Sequence, residues 1–575
     1  MAAAFRQLLL WMLWLDVLPF SAMFHNKKMD DIQATSPTKV LRQHVHSLYL
    51  NNKLSGQETE KLQAEIAECK VPGFKIKKDF LKNRQVSQQA NRNLLKRSLK
   101  HSQWPPVYVH EIRVFDPKNQ VECLAKVAFM LPHEILFTLG EFNTAETLTV
   151  LSSATGSVRR HCLEAQRQWG KPVAALGLWS DGTPFNWERS KSLELLLINF
   201  PGLDSTWRFP IAAIPHEHLS KHATFEDIFS LVAWSFQQCA VGKMPSQRHD
   251  GSPWTSQDTW RKKRAGKPLP CRAVLAEVRA DWKCMSEVFH LPHWQNTAGI
   301  CCKCSATIGT FKDFSSLAPW RNERLNHWQF LERQLLQGKA ISAIYHCPLF
   351  STSCFKIDWL HTMDLGVSCD TLGNLCWHLL PKFPGKRSDQ VAALFLTMKN
   401  FYTRNNVEAR LSNLTEKMIR SSAKTSPKLK TRAGETRALI PWALEIAQTM
   451  LDQQDRFEQA IFFAIQYLHQ AYQCLSKRTF QHQHFHDVCF KFLLQYQALE
   501  FLAPEYTWYI KPKFHGMAEL ALACDNPSMN WVYRDEEAGG TLARLGRSKG
   551  NLQTPWSVSS NVLQRFAAEF SVPTL

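Results

Sequence analysis

The sequence predicts an α+β protein: a mixed-sheet core, interrupted by a large all-helical insertion and preceded by a basic helical N-terminal region. Three observations carry that expectation. Residues 171–281 run strand, strand, strand, helix, strand. Residues 305–510 carry helical periodicity almost throughout. Residues 25–105 hold 16 Lys/Arg against 7 Asp/Glu, a balance of 16 − 7 = +9.

The elements follow in order. Residues 1–24 form an apolar segment with Arg6, an apolar run from Leu8 to Leu15, an interrupting Asp16, and small residues at Ser21 and Ala22. That outline is signal-like, and equally that of an amphipathic helix or a translation extension; it is too short and broken for a membrane span. In the arm at 25–105, "KIKKDFLKNRQ" and "NRNLLKRSLKHS" read as basic helices, and "SGQETEKLQAEIAEC" as a capped amphipathic one. Residues 106–170 form an α/β pre-core, with strands "VYVHEIRVF" and "VECLAKVAFML" and a helix around "TGSVRRHCLEAQRQWG".

The first part of the core spans 171–304. "KPVAALGLWSD" is a mostly apolar strand ending at Asp181 before a turn, "DGTPF". "SLELLLINFPG" and "TWRFPIAAIP" are two more strands, "TFEDIFSLVAWSFQQCAVG" a helix, and "CRAVLAEVRAD" a strand ending at Asp281. Three antiparallel strands and a helical crossover lay the fourth strand parallel to the first. Asp181 and Asp281 then become neighbours at one end of the sheet. Glu277 and Arg279 make that fourth strand more polar than a buried parallel strand usually is. The insertion spans 305–510, divided by the basic stretch "SSAKTSPKLKTRAGET", and residues 511–575 complete the core.

Bulk properties limit the function classes. At 575 residues, 45% hydrophobic and 11% aromatic, the chain is long enough for several units, and its composition is not that of a disordered protein. A net charge of +19 favours polyanionic partners, nucleic acid first and an anionic membrane surface second. Sixteen cysteines are too dilute for the disulfide scaffold of a small secreted domain.

Carboxylates that share divalent cations are the usual apparatus of phosphoryl transfer. Asp181 and Asp281 meet that need, and "WVYRDEEAGGTLARL" offers a third acid among Asp535, Glu536 and Glu537. Cys301 and Cys304 form a CxxC, half of a zinc site. Candidates for the remaining ligands are His515, Glu519 one turn along the same helix face, Cys347, Cys354 and His361. The alternative is that these are buried free thiols. Basic stretches at 75–100, with Lys96, Arg97 and Lys100, at 261–267, with Arg261, Lys262, Lys263 and Arg264, and at 420–437 are candidate phosphate contacts.

Five motifs together resemble DDE transposases of the CACTA type, including the transposase-like proteins abundant in dinoflagellate genomes. "LGLWSDGTPF" resembles the first-acid strand, and "ADWKCMSEVF" followed by "ICCKC" the second-acid segment with its CxxC. "DWLHTMDLGV" is similar to the DxxH element (Asp358, His361), "KPKFHGMAEL" to the PKxH helix, and "RDEEAGGTLARL" to the third-acid helix. The resemblance covers roughly 170–550. It implies a ribonuclease H-like core with a helical insertion after the second acid, and Mg²⁺ or Mn²⁺ held by Asp181, Asp281 and Glu536. Matching ExxxG to Glu536 and Gly540 favours Glu536 as third acid. It further implies structural Zn²⁺ on Cys301, Cys304, His515 and Glu519, with Asp358 and His361 in support. Ala280 stands where the family commonly has Gly, and Glu519 where it usually has a second histidine.

The expected function is therefore a transposase-like DNA nuclease and strand-transfer enzyme. The alternative is a catalytically inactive, domesticated transposase-derived DNA-binding protein. Expected partners are double-stranded DNA, including element ends, and a second copy in a homo-oligomer, with no small-molecule cofactor. The expected location is the nucleus, or a secreted or membrane-attached state if the N-terminal segment is a true signal.

Overall fold

The computed structural model describes residues 37–68, 89–186, 188–203, 205–220, 223–296, 298–547 and 554–575. The signal-like segment 1–24 and the basic stretch "KIKKDFLKNRQ" lie outside them. No helix among the described residues is long and apolar enough to cross a membrane.

Three helices open the described chain: α1 (Pro37–Leu50), α2 (Gly56–Glu68) and α3 (Ala90–Leu99). The expected cap on α2 is present. The Glu58 backbone N–H donates to Ser55 Oγ at 3.1 Å, and the Ser55 N–H donates to the Glu58 carboxylate at 2.6 Å. These helices do not stand apart as an arm. Tyr49, Leu50 and Leu94 bury a small core. Arg565, from the far end of the chain, caps the carbonyls of Tyr49 and Leu50 at 2.6 and 2.8 Å.

Strands β1 (Tyr108–Asp116) and β2 (Val121–Phe129) form an antiparallel hairpin, followed by α4 (Pro132–Leu139) and α5 (Gly156–Trp169). Thr155 caps α5 at its start, and Gly170, at φ 64°, ends it in the left-handed conformation that glycine adopts freely. Next come β3 (Val173–Pro184), β4 (Ser192–Asn199), β5 (Arg208–Pro215), helix α6 (Ala223–Val241) and β6 (Arg272–Arg279). With β7 (Phe355–Lys356) they make a mixed five-stranded sheet in the order β5-β4-β3-β6-β7. β4 is antiparallel to β3 and β5, while β6 is parallel to β3 and to β7. The α+β class and the expected crossover are both observed.

Two expectations are corrected. "DGTPF" is not a turn, because β4 is long enough to continue the ladder: Asp181 pairs with Leu195 and Pro184 with Ser192. The stretch 305–510 is not wholly helical, because β7 belongs to the core sheet. Two residues are too few to give a period-2 signal.

After β6 the chain enters α7 (Trp282–Glu287) and later α8 (His327–Leu336). Past β7 a π-helical segment, Leu360–Val367, runs straight into α9 (Ser368–Leu379). The rest of the insertion is α10 (Arg387–Arg404), α11 (Ala433–Met450), α12 (Arg456–Gln473) and α13 (His482–Leu502). Helices α14 (Pro512–Leu522), α15 (Tyr533–Gly546) and α16 (Pro555–Glu569) close the chain. The large apolar core around the sheet includes α15 and α16, and the insertion builds a second core that includes α14.

Candidate functional site

The register of β3 and β6 sets the site. Trp179 is opposite Arg279, the last pair of the ladder, and Asp181 and Asp281 each follow two residues later, at the same end of the sheet. Helix α15 crosses the same face of β3. It can do so because Gly539 lacks a side chain: a Cβ there would stand 2.9 Å from the Trp179 ring and 3.2 Å from Thr183 Oγ1. That close approach brings Glu536 to Asp181. One ligand atom each from Asp181, His361 and Glu536 falls within 4.8 Å of the others.

Asp281 stands beside this trio rather than within it. Its Oδ1 accepts the Cys284 N–H at 2.6 Å as the cap of α7. Asp181 Oδ1 likewise accepts its neighbour's N–H, from Gly182, at 2.6 Å.

Electrostatics mark the pocket as short of positive charge. Burial, then the charge of Asp281, raises the Asp181 carboxyl above its usual range. Burial and the charge of Asp181 push Glu536 up to about 8. Burial alone would lower His361, but the hydrogen bond with Asp358 and the charges of Asp358, Glu536 and Asp181 carry it up to about 9. The pocket still opens to solvent, since the Glu536 side chain is 35% exposed.

The choice among the three late acids is physical. Asp535 is fully buried and ion-paired with Arg208 of β5 and, at 3.3 Å, with Arg279 of β6. Glu537 faces solvent. Only Glu536 reaches the pocket. Gly540, the glycine of the ExxxG pattern, has only the tip of Arg544 near its open side. Gly539 is the glycine that packing requires.

Asp358 is a support. Its buried carboxylate accepts from the N–H groups of Leu360, His361 and Val532 at 3.1, 2.7 and 3.1 Å, and holds His361 Nδ1 at 2.8 Å. One side chain thus fixes both the π-helical segment and the start of α15. It also leaves His361 Nε2 facing Glu536, 3.8 Å away. Asp364, one turn on, accepts the hydroxyls of Tyr472 and Tyr533 at 2.5 Å each, tying the insertion to α15. The sequence does not announce this bridge, nor Arg208 and Arg279, because none of these residues belongs to a local pattern.

The second cluster is Cys301, Cys304, His515 and Glu519, all buried and with ligand atoms within 4.8 Å of one another. Cys301 Sγ lies 3.6 Å from Glu519 Oε1, Cys304 Sγ 3.4 Å from His515 Nε2, and His515 Nε2 3.5 Å from Glu519 Oε1. This group can hold a metal ion. The Lys303 N–H donates to Cys301 Sγ at 3.3 Å, and Arg333 binds the carbonyls of Cys301 and Cys304. Arg324 grips both oxygens of Glu519, at 2.7 and 2.6 Å. Cys347 and Cys354 lie outside the group, and His361 belongs to the acid pocket.

The basic residues divide. Arg261, expected as a phosphate contact, is instead buried: it is 3% exposed and paired with Glu134 at 2.6 Å and Asp258 at 3.3 Å. A buried guanidinium with two carboxylates is a structural pair. Arg264 packs over the Trp260 ring at 4.3 Å and reaches Glu141 at 3.5 Å. Arg97 is 53% exposed and pairs with Glu60 at 3.2 Å. Lys96, Lys100, Lys262 and Lys263 face solvent.

Comparison with known proteins finds no family model that matches the chain and no similar curated protein.

Proposed function

We propose that the chain is a transposase-like enzyme of the DDE type, with a ribonuclease H-like core, that cleaves and joins DNA phosphodiester bonds. The observation that carries this reading is the pocket itself. A strand and a helix from the far end of the sequence bring Asp181 and Glu536, with His361, to one solvent-open place, and the end of a second strand leaves Asp281 close enough for its charge to act on Asp181. The strand order, with only β4 reversed relative to β3, supports the core assignment.

The donor set is all oxygen plus one imidazole, which suits Mg²⁺ or Mn²⁺. When bound between carboxylates, such cations sharpen the attacking oxygen and stabilise the leaving one. Asp181, Asp281 and Glu536 would hold them, and Asp358 keeps His361 turned toward the same space. Water, then a DNA 3′-hydroxyl, would be the attacking groups. A DNA substrate would fit the charge of +19 and a nuclear location.

Zinc is the metal we assign to the second cluster. Zinc bonds of about 2.3 Å to sulfur and about 2.0–2.1 Å to nitrogen or oxygen put tetrahedral ligands about 3.5 Å apart. The observed separations of 3.4–3.6 Å match that spacing. Two thiolates and a carboxylate around Zn²⁺ leave one negative charge, which Arg324 balances. The site would be structural, because all four ligands come from the protein and all are buried.

The test is nicking of supercoiled DNA by the purified chain with Mn²⁺. Asp181→Ala should reduce nicking to background while leaving the fold intact by circular dichroism. Equal nicking by the variant excludes the assignment.

A further inference from the structure

One face of the helix that leaves the pocket is built to hold lysines. Gly366, Asp370 and Gly373 follow at i, i+4 and i+7 along the π-helical segment and α9, so they share a side. At Gly366 a Cβ would lie 2.5 Å from Lys513 Cδ, so the Lys513 stem runs over this glycine. At Gly373 a Cβ would lie 2.5 Å from Lys428 Cα, so the loop carrying Lys428 rests directly on the helix. Between them the buried Asp370 binds Lys511 Nζ at 2.5 Å.

Of the three lysines, Lys513 ends at a residue of the acid pocket. Lys513 Nζ donates to the His361 carbonyl at 2.6 Å, and His361 is the residue whose ring faces Glu536. Lys428 Nζ donates to the Leu365 carbonyl at 3.0 Å. Three ammoniums meet the carboxylate of Asp370, and Lys513 also feels the charge of Asp281, so the local balance is 3 − 2 = +1. None of the three is sealed: Lys511 is 37% exposed, and Lys428 and Lys513 are half-buried. Each lysine also keeps N–H donors beyond the one bond described. A carbonyl is a weak partner for a half-buried cation, and an anion is a strong one.

We infer that Lys428, Lys511 and Lys513 form a phosphate-binding wall beside the acid pocket, which takes backbone phosphates of a nucleic acid flanking the reacting bond. The carbonyls of His361 and Leu365 hold the Lys513 and Lys428 ammoniums ready, Asp370 holds that of Lys511, and a phosphate completes their shells. The identity of the substrate rests on the function proposed above; the existence of the anion site does not.

The test is binding of a short double-stranded DNA by fluorescence anisotropy, without divalent metal, between 50 and 200 mM salt. For every phosphate that is no longer neutralised, the slope of log K against log salt should flatten by about 0.9. Over that fourfold range, each lysine removed makes the salt-induced drop in affinity about 3.5-fold smaller. Lys428→Gln and Lys513→Gln should each show this change, Lys428→Arg should keep the wild-type slope, and a thermal melt checks each fold. If Lys513→Gln unfolds, the Lys428→Gln and Lys428→Arg pair decides. Wild-type slopes in folded glutamine variants overturn the wall, as does failure of the wild-type chain to bind DNA. Failure of the nuclease reading is separable: Asp181→Ala would then nick like wild type while the lysine variants still changed the slope.

Discussion

Glu536 keeps its proton because burial and the neighbouring charge of Asp181 both oppose ionisation. The sign of the consequence follows from linkage. Between its ordinary value of 4.5 and its folded value of about 8, the folded chain holds a proton that the unfolded chain has released. Stability therefore falls as pH rises through that window. His361, raised from 6.5 to about 9, loses stability in the same direction over the higher window. Without divalent cation, the melting temperature should drop between pH 5 and pH 9, and Glu536→Gln should flatten the part below pH 8. Added Mn²⁺ should raise the melting temperature more at pH 8.5 than at pH 6, where protons compete for the same oxygens. Thermal melts with and without chelator read both effects. A Glu536→Gln profile that follows the wild type would remove Glu536 from the pocket's proton balance.

Helix α15 is positioned by features that local sequence conceals. The acidic trio 535–537 and Gly540 were legible, and the motif match favoured Glu536, but the roles of Asp535 and Gly539 were not. Asp535 is a structural anion because Arg208 and Arg279 come from distant strands, and no periodicity announces such partners. The same network explains the polar positions of β6: Glu277 and Arg279 pair at 3.2 Å inside the core. The element itself was expected, whereas its charges made sense only after folding. The two glycines permit a sharp comparison. A helical Gly→Ala change ordinarily stabilises by about 0.5–1 kcal/mol. Gly540→Ala, on an open side, should follow that rule. Gly539→Ala should instead destabilise by about 1–3 kcal/mol, the usual range for overpacking a core. Urea unfolding of the two variants decides, and equal shifts would mean that α15 does not rest on Trp179.

Across the whole molecule, two apolar cores meet at the cysteine knot. Cys302 packs into the core around the sheet, while Cys301 and Cys304 pack into the insertion's core with His515. The spacing of a CxxC was readable in the sequence, and so was a ligand pair one helical turn apart. Spacing alone left Cys347, Cys354 and His361 as candidates too; the family resemblance picked His515 and Glu519, and the insertion's fold carries α14 back to the two cysteines. A metal held there would have a mechanical role, tying the segment that follows α7 to α14, the helix that precedes α15. A structural zinc site contributes its binding energy to folding, and breaking it should loosen one core before the other. The native chain should carry one zinc per molecule and unfold in a single transition. Cys304→Ser and His515→Ala should each lose the zinc and unfold in two steps, with the insertion melting first. Glu519→Gln should weaken retention against a chelator, since Arg324 then has no carboxylate to balance and the fourth ligand is lost. Metal content by mass spectrometry and melts followed by fluorescence check each variant. Zinc-free native protein that still unfolds in a single step would leave the four residues as a buried polar cluster and separate the two cores' cooperation from any metal.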